Sequence, residues 1–108
     1  MDRIFNLEIL PPAQAEIEEI ARLHMALSGP QSARNITDAL YDGMEQLTHF
    51  PMSGPIVPDE ELSIAGYRYL SINKYLMFYR FLGETVVIYH IVHGATNYPK
   101  LFRAWLSE

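Results

Sequence analysis

With 108 residues, 49% of them hydrophobic, the chain has material for one compact domain over 1–108 with one shared core, and no room for a second. It has no cysteine, which excludes a disulfide framework, a thiol nucleophile and a thiolate metal site. The net charge of −5 hides a split: through Gly66 three bases meet eleven acids, a balance of −8, and from Tyr67 onward five bases meet two acids, a balance of +3. Such an imbalance steers partners without specifying them, and two solvated helix faces beside a neutral sheet account for it equally well. No basic stretch followed by an apolar core opens the chain, and no apolar run approaches the roughly 18 residues that cross a bilayer. A cytoplasmic protein with no membrane contact is expected.

Phe5 to Leu10 reads as a first strand, ended by Pro11-Pro12, whose fixed φ suits the first turn of a helix. The apolar positions Ile17, Ile20, Leu23 and Leu27 then recur at helical spacing, with Glu16, Glu18 and Glu19 early, where the helix dipole favours acid. Ser28-Gly29-Pro30 is a stop signal. Ser32 is the expected cap of a second helix that buries Ile36, Leu40, Gly43 or Met44, and Leu47, so that the two helices form an antiparallel hairpin. From Phe50 to Ala65, Pro51, Gly54, Pro55 and Pro58 predict a loop, long enough to be functional or mobile.

Three strands follow: Tyr67 to Ile72, Tyr75 to Leu82 and Thr85 to Val92, rich in β-branched and aromatic residues. Asn73-Lys74 and Gly83-Glu84 separate them, and two-residue connections of this kind make an antiparallel meander. Asn97 and Pro99 then predict a short last helix that buries some of Leu101, Phe102, Trp105 and Leu106. The expected fold class is α+β in the order β-α-α-β-β-β, a helical hairpin packed on an antiparallel sheet, with a short C-terminal helix. On that arrangement the opposite, open face of the sheet is where a site is expected.

Leu47, Pro51 and Gly54, then Gly66-Tyr67-Arg68, Tyr75, Phe78-Tyr79-Arg80, Gly83, Val86 to Ile88, and Ile91, His93 and Gly94 occur in the order and spacing of a known family. Over about Leu7 to Phe102 the chain resembles the RelE/ParE superfamily of toxins from type II toxin–antitoxin pairs, which are small plasmid-stabilisation proteins. The resemblance is to the ParE-like branch. It implies a RelE-like fold, a cognate antitoxin as partner, inhibition of DNA gyrase without a catalytic residue, and contact with DNA only through the antitoxin.

In the ribosome-dependent nucleases of the superfamily, basic residues on the open sheet face and just after the last strand's glycine neutralise phosphate and stabilise developing charge. Laid on that pattern, this chain has Leu76 and Ala95-Thr96 at those places, all uncharged. The alternative, an endoribonuclease acting on mRNA at the ribosome, would rest on Arg68, Arg80 and His93. A relative that has lost toxicity and still binds antitoxin is a third reading.

The residues expected to face a partner are Arg68, Lys74, Arg80, His93, Tyr98, Lys100 and Arg103, the basic rim and tail of the last third. Arg68 matches a recurrent family arginine and is expected on the open face. Arg80, sharing a strand face with Leu76, Phe78 and Leu82, is read equally as an arginine snorkelling past apolar neighbours or paired with an acid. His93 is read first as a hydrogen-bonding residue that fixes the turn, and second as target surface. Seven tyrosines fit a protein interface or a sheet that buries aromatics. His90 and His93, three apart on a strand, point to opposite sides, and His24 and His49 add no ligand spacing, so neither a metal nor a cofactor is expected.

Overall fold

The computed structural model describes residues 3–106, with side chains through Ala104. The chain runs β1 (Asn6–Ile9), α1 (Pro11–Ser28), α2 (Pro30–His49), α3 (Glu60–Ile64), β2 (Arg68–Ile72), β3 (Tyr75–Leu82), β4 (Thr85–His93) and α4 (Tyr98–Leu106). The α+β class matches expectation, and so does the element order apart from α3, which lies in the stretch expected as a loop. The sheet is mixed, however: its order is β1-β4-β3-β2, and β1 lies parallel to β4 with Asn6 opposite Thr85 and Ile9 opposite Ile88. Only the β2-β3-β4 meander is antiparallel.

Gly29 adopts φ 88 and serves as the C-cap of α1 and the N-cap of α2 at once, a left-handed position that a side chain would strain. Because Pro30 opens α2 directly, Ser32 is not its cap; the N-cap makes no side-chain hydrogen bond and the Ser32 hydroxyl bonds His24 instead. The buried stripe of α1 is also shorter than its periodicity implies. Ala13, Ile17 and Ile20 are buried, whereas Leu23 is 49% and Leu27 75% exposed. Eighteen residues make a helix about 27 Å long, and His24 already stands beside Tyr75, where β3 begins. The turns beyond His24 have little sheet beneath them.

Strand β3 is covered on both faces. Tyr75, Met77 and Tyr79 pack with Ile17, Ile20, Leu40, Met44 and Leu47 of the hairpin. Phe78 packs on the opposite side with Val57, Leu62, Tyr67 and Phe102. The face expected to be open is therefore closed, by α3, the segment before it and α4. In the stretch read as a loop, Asp59 accepts from the Leu62 N–H and starts α3, and Ile56 bridges to Arg68 at the edge of β2. The last helix is docked through Phe102, which is 2% exposed and meets Phe78 and Tyr67 edge-on. Asn97 caps it, its side-chain oxygen accepting from the Lys100 N–H. The Trp105 and Leu106 side chains and Ser107-Glu108, also expected at this end, lie outside the described residues.

The strand pairing shifts between Phe78 and Tyr79: Phe78 faces His90 and Tyr79 faces Ile88, so Tyr89 is an extra residue in β4. A bulge of this kind re-aims the side chains beyond it. Ile88 and Ile91 both reach the hairpin side, and Tyr89 and His90 turn toward Phe78 and Phe102. Glu16 of α1 meets the displaced strand, accepting from the Ile91 N–H at 3.0 Å and lying 3.2 Å from His90 Nδ1.

Tyr79 fixes the chain between α2 and α3. Its buried hydroxyl donates to the Pro51 carbonyl at 2.7 Å and accepts from the Gly54 N–H at 3.0 Å. Burial holds this phenol above its ordinary value of 10.0, against the opposing pull of the Gly54 N–H and the Arg68 guanidinium. Burial likewise raises Tyr67, against the nearby Arg80. The folded state holds both protons more tightly than the unfolded chain, so this stability is complete below pH 10 and is lost as the pH rises through the raised values. Urea midpoints measured from pH 8 to 12 should fall above pH 10, and Tyr79→Phe should flatten part of that fall while lowering the midpoint throughout. Gly54 leaves no room for a side chain: a Cβ there would strike the Tyr69 carbonyl oxygen and sit 2.7 Å from the Tyr79 hydroxyl. Gly54→Ala should cost about 2–4 kcal/mol in urea unfolding; a variant as stable as the parent would mean the segment is not held this tightly.

Candidate partner-binding site

The basic residues expected to form one partner surface are dispersed. Arg68 pairs across the sheet with Tyr79, so it shares the hairpin-side face and not the opposite one. It donates to the Gly54 carbonyl at 2.8 Å and, at 3.4 Å, to that of Met52. Arg68 and Tyr79 thus hold the same turn from two sides.

Arg80 does lie on the Phe78 face, and no acid pairs with it among the described residues. Its guanidinium sits over the rings of Tyr67 and Tyr89 at 4.8 and 5.0 Å, donates twice to the Tyr89 hydroxyl, and reaches the Ala65 carbonyl at 3.3 Å. A planar cation resting against two rings that meet edge-on binds the end of α3 to the sheet. Arg103 ties α4 to α3 through Asp59 at 3.2 Å and, more distantly, Glu61. Tyr98 stacks on Phe78 with ring centroids 4.8 Å apart, and its burial raises the phenol above its ordinary value.

His93 supports its turn: its Nδ1 accepts from the Ala95 N–H at 3.1 Å, and its ring meets Tyr75 edge-on. It lies on the hairpin side, opposite His90. Lys100 is exposed on α4. Among the tyrosines Tyr67, Tyr75 and Tyr79 are buried and Tyr41 is 40% exposed, so most of the tyrosine surface goes into the cores. No group of three metal-ligating side chains occurs among the described residues.

An open cleft of about 540 Å³ lies at the end of the sheet, between the turn joining α1 and α2 and the β2-β3 connection. Leu23, Leu27 and Ile36 form its apolar wall, and Lys74 and His93 stand on its other side. Between them runs a polar chain: His24 Nδ1 lies 3.2 Å from the Ser32 hydroxyl and His24 Nε2 3.0 Å from that of Tyr75. Sequence periodicity continues the α1 stripe through this stretch, so it gave no signal of a cleft; His24 at the spacing of a core position was the one available sign. The geometry suits binding more than covalent chemistry, since the third member of the chain is a phenol where a nucleophile's base would need an orienting carboxylate.

Fold and cleft together define a small α+β protein with an open cleft at one end of its sheet. The ParE toxin model of type II toxin–antitoxin systems matches residues 7–98, and the chain belongs to that family. Two solved structures share its fold. A chain of the chromosomal ParDE system from P. aeruginosa aligns with a TM-score of 0.70 at 21% identity, covering 83% of this chain and 96% of that one. A chain of the RelBE2 toxin–antitoxin complex from Mycobacterium tuberculosis aligns with a TM-score of 0.63 at 19% identity, covering 83% and 98%. No curated protein matches in sequence.

The roles of Arg80 and Lys100 separate cleanly. Arg80→Ala should lower stability by about 1–2 kcal/mol through loss of the stacking and of the Ala65 bond, and Arg80→Lys should not restore it. Lys100→Ala should leave the urea midpoint unchanged. Equal stability of Arg80→Ala and the parent would return Arg80 to the set of free surface cations.

Proposed function

We propose that this chain, as one toxin domain over 1–108, arrests growth by inhibiting DNA gyrase in the cytoplasm and is neutralised by a co-encoded antitoxin that covers an exposed apolar surface. Its contact with DNA is then indirect, through the antitoxin. The observation that carries the reading is membership of the ParE family over residues 7–98. A surface inhibitor needs complementarity and no catalytic group, and the cleft lined by Lys74 and His93 offers cationic and apolar surface of that kind.

The endonuclease alternative finds less support. Arg68, Arg80 and His93 stand opposite Tyr79, next along β3 from it, and opposite Tyr75 respectively. Arg68 and Arg80 occupy opposite faces, and His93 is four or more residues along the strand, about 13 Å at strand rise. Both arginines are engaged by backbone carbonyls of this chain. Three groups so placed do not converge on one phosphate.

The test is supercoiling of relaxed plasmid by purified gyrase with rising amounts of the protein, beside induction in cells with and without the neighbouring gene. Inhibited supercoiling and arrest relieved by the neighbour are expected. Unchanged supercoiling together with a prompt halt in protein synthesis, and new mRNA ends at ribosomes, would instead support the nuclease; no arrest at all would support the non-toxic relative.

A further inference from the structure

The cleft at the end of the sheet is built to accept an anion beside an apolar group. Its polar chain is directional. In a neutral imidazole one nitrogen donates and the other accepts. When His24 Nδ1 carries the proton it donates to Ser32, Tyr75 donates to Nε2, and the Ser32 hydroxyl proton is left to point elsewhere. When Nε2 carries it, Ser32 donates, and the Tyr75 hydroxyl proton is the one left. Either tautomer leaves one hydroxyl proton in want of an acceptor.

One cation, Lys74, and one neutral ring donor, His93, stand beside this chain. Lys74 has no ion-pair partner among the described residues, and His93, with Nδ1 accepting from Ala95, keeps any proton on Nε2. Among the described residues no aspartate or glutamate lines the cleft. That is notable in a helical half that carries eleven acids against three bases. Beside these donors stand Leu23 and Leu27, 49% and 75% exposed, an apolar wall left uncovered by the short sheet.

We propose that the cleft receives a segment of the antitoxin in which an apolar side chain lies next to a carboxylate. The side chain packs on Leu23, Leu27 and Ile36; the carboxylate pairs with Lys74 and takes the spare hydroxyl proton of the Ser32–His24–Tyr75 chain. Charge-assisted bonds of this kind are the strong ones, and the apolar wall supplies the desolvation that strengthens them. This rests on the reading of a toxin neutralised by an antitoxin, and it specifies the chemistry of the segment that does so.

Two measurements on the full chain test it. In the first, octanoate and octanamide are titrated onto ¹⁵N-labelled protein, the two probes differing only in the carboxylate. Octanoate should shift the amide signals of Asn35, Lys74 and Tyr75 and saturate at a roughly tenfold lower concentration than octanamide. Lys74→Met, on an exposed turn where folding is not at stake, should abolish the difference, and Ser32→Ala should reduce it. In the second, every Asp and Glu of the adjacent gene's product is changed singly to its amide and binding is measured to the parent and to Lys74→Met. One amide variant should bind the parent about tenfold more weakly and show no further loss against Lys74→Met.

Equal saturation by octanoate and octanamide would overturn the carboxylate assignment. So would antitoxin affinity untouched by both Lys74→Met and Ser32→Ala, while leaving the toxin–antitoxin reading intact. Failure of the neighbour to bind the parent at all, with octanoate still preferred, would reject that reading and the peptide occupant together.

Discussion

Strand β3 is packed on both faces along its central residues, and the rest of the molecule is arranged around that constraint. Tyr75, Met77 and Tyr79 face the hairpin while Phe78 faces the other way, and all four are less than one-tenth exposed. A four-stranded sheet with one helical hairpin covers only one side. The second cover is assembled from small pieces: the five-residue α3, the chain before it, and α4. Neither α3 nor α4 is long enough to be stable alone, so each must be tied down by side chains from the sheet and from one another. Phe102, Arg80 and the Arg103–Asp59 pair are those ties.

That requirement explains why basic residues of the last third serve the fold before any partner. An exposed arginine is cheap to place and contributes little, but one resting against both Tyr67 and Tyr89 with a carbonyl at its end joins three segments at once. Arg68 and Tyr79 do the same for the turn at Pro51–Gly54, where the backbone must pass so close to Tyr69 that only glycine fits. The family-like spacing of Gly54, Arg68 and Tyr79 in the sequence is therefore the spacing of one hydrogen-bonded device.

Much of this fold was legible because the signals are local. Pro11-Pro12, Gly29-Pro30, Asn73-Lys74 and Gly83-Glu84 each act within a few residues, and they delimit both long helices and the meander. The parallel pairing of β1 with β4 was not legible, since four residues between charged and proline-rich neighbours do not announce their partner. Nor was the bulge at Tyr89, because a strand rich in apolar residues reads the same in either parity. α3 was hidden by the prolines before it, although Asp59 with Glu60 and Glu61 is a helix start once the chain is seen to turn there. Arg68 was assigned to the wrong face because its register against Tyr79 is set by tertiary pairing.

The cleft escaped for a different reason, which bears on where recognition can sit in so small a protein. Hydrophobic periodicity reports which residues lie on one side of a helix, and says nothing about how far the supporting sheet extends. In α1 the stripe continues to Leu27, but the sheet ends near Tyr75, and the surplus becomes exposed wall. The same mismatch brings His24, at the spacing of a core residue, to the margin of the core, where its two nitrogens are satisfied by hydroxyls from α2 and β3. Both faces of β3 carry packed side chains, so the centre of the sheet offers little open surface. At this end the helical overhang supplies apolar area, the β2-β3 turn supplies Lys74, and the end of β4 supplies His93. The length difference between helix and strand is thus what leaves a cleft with an apolar wall at one end of a core packed on both sides.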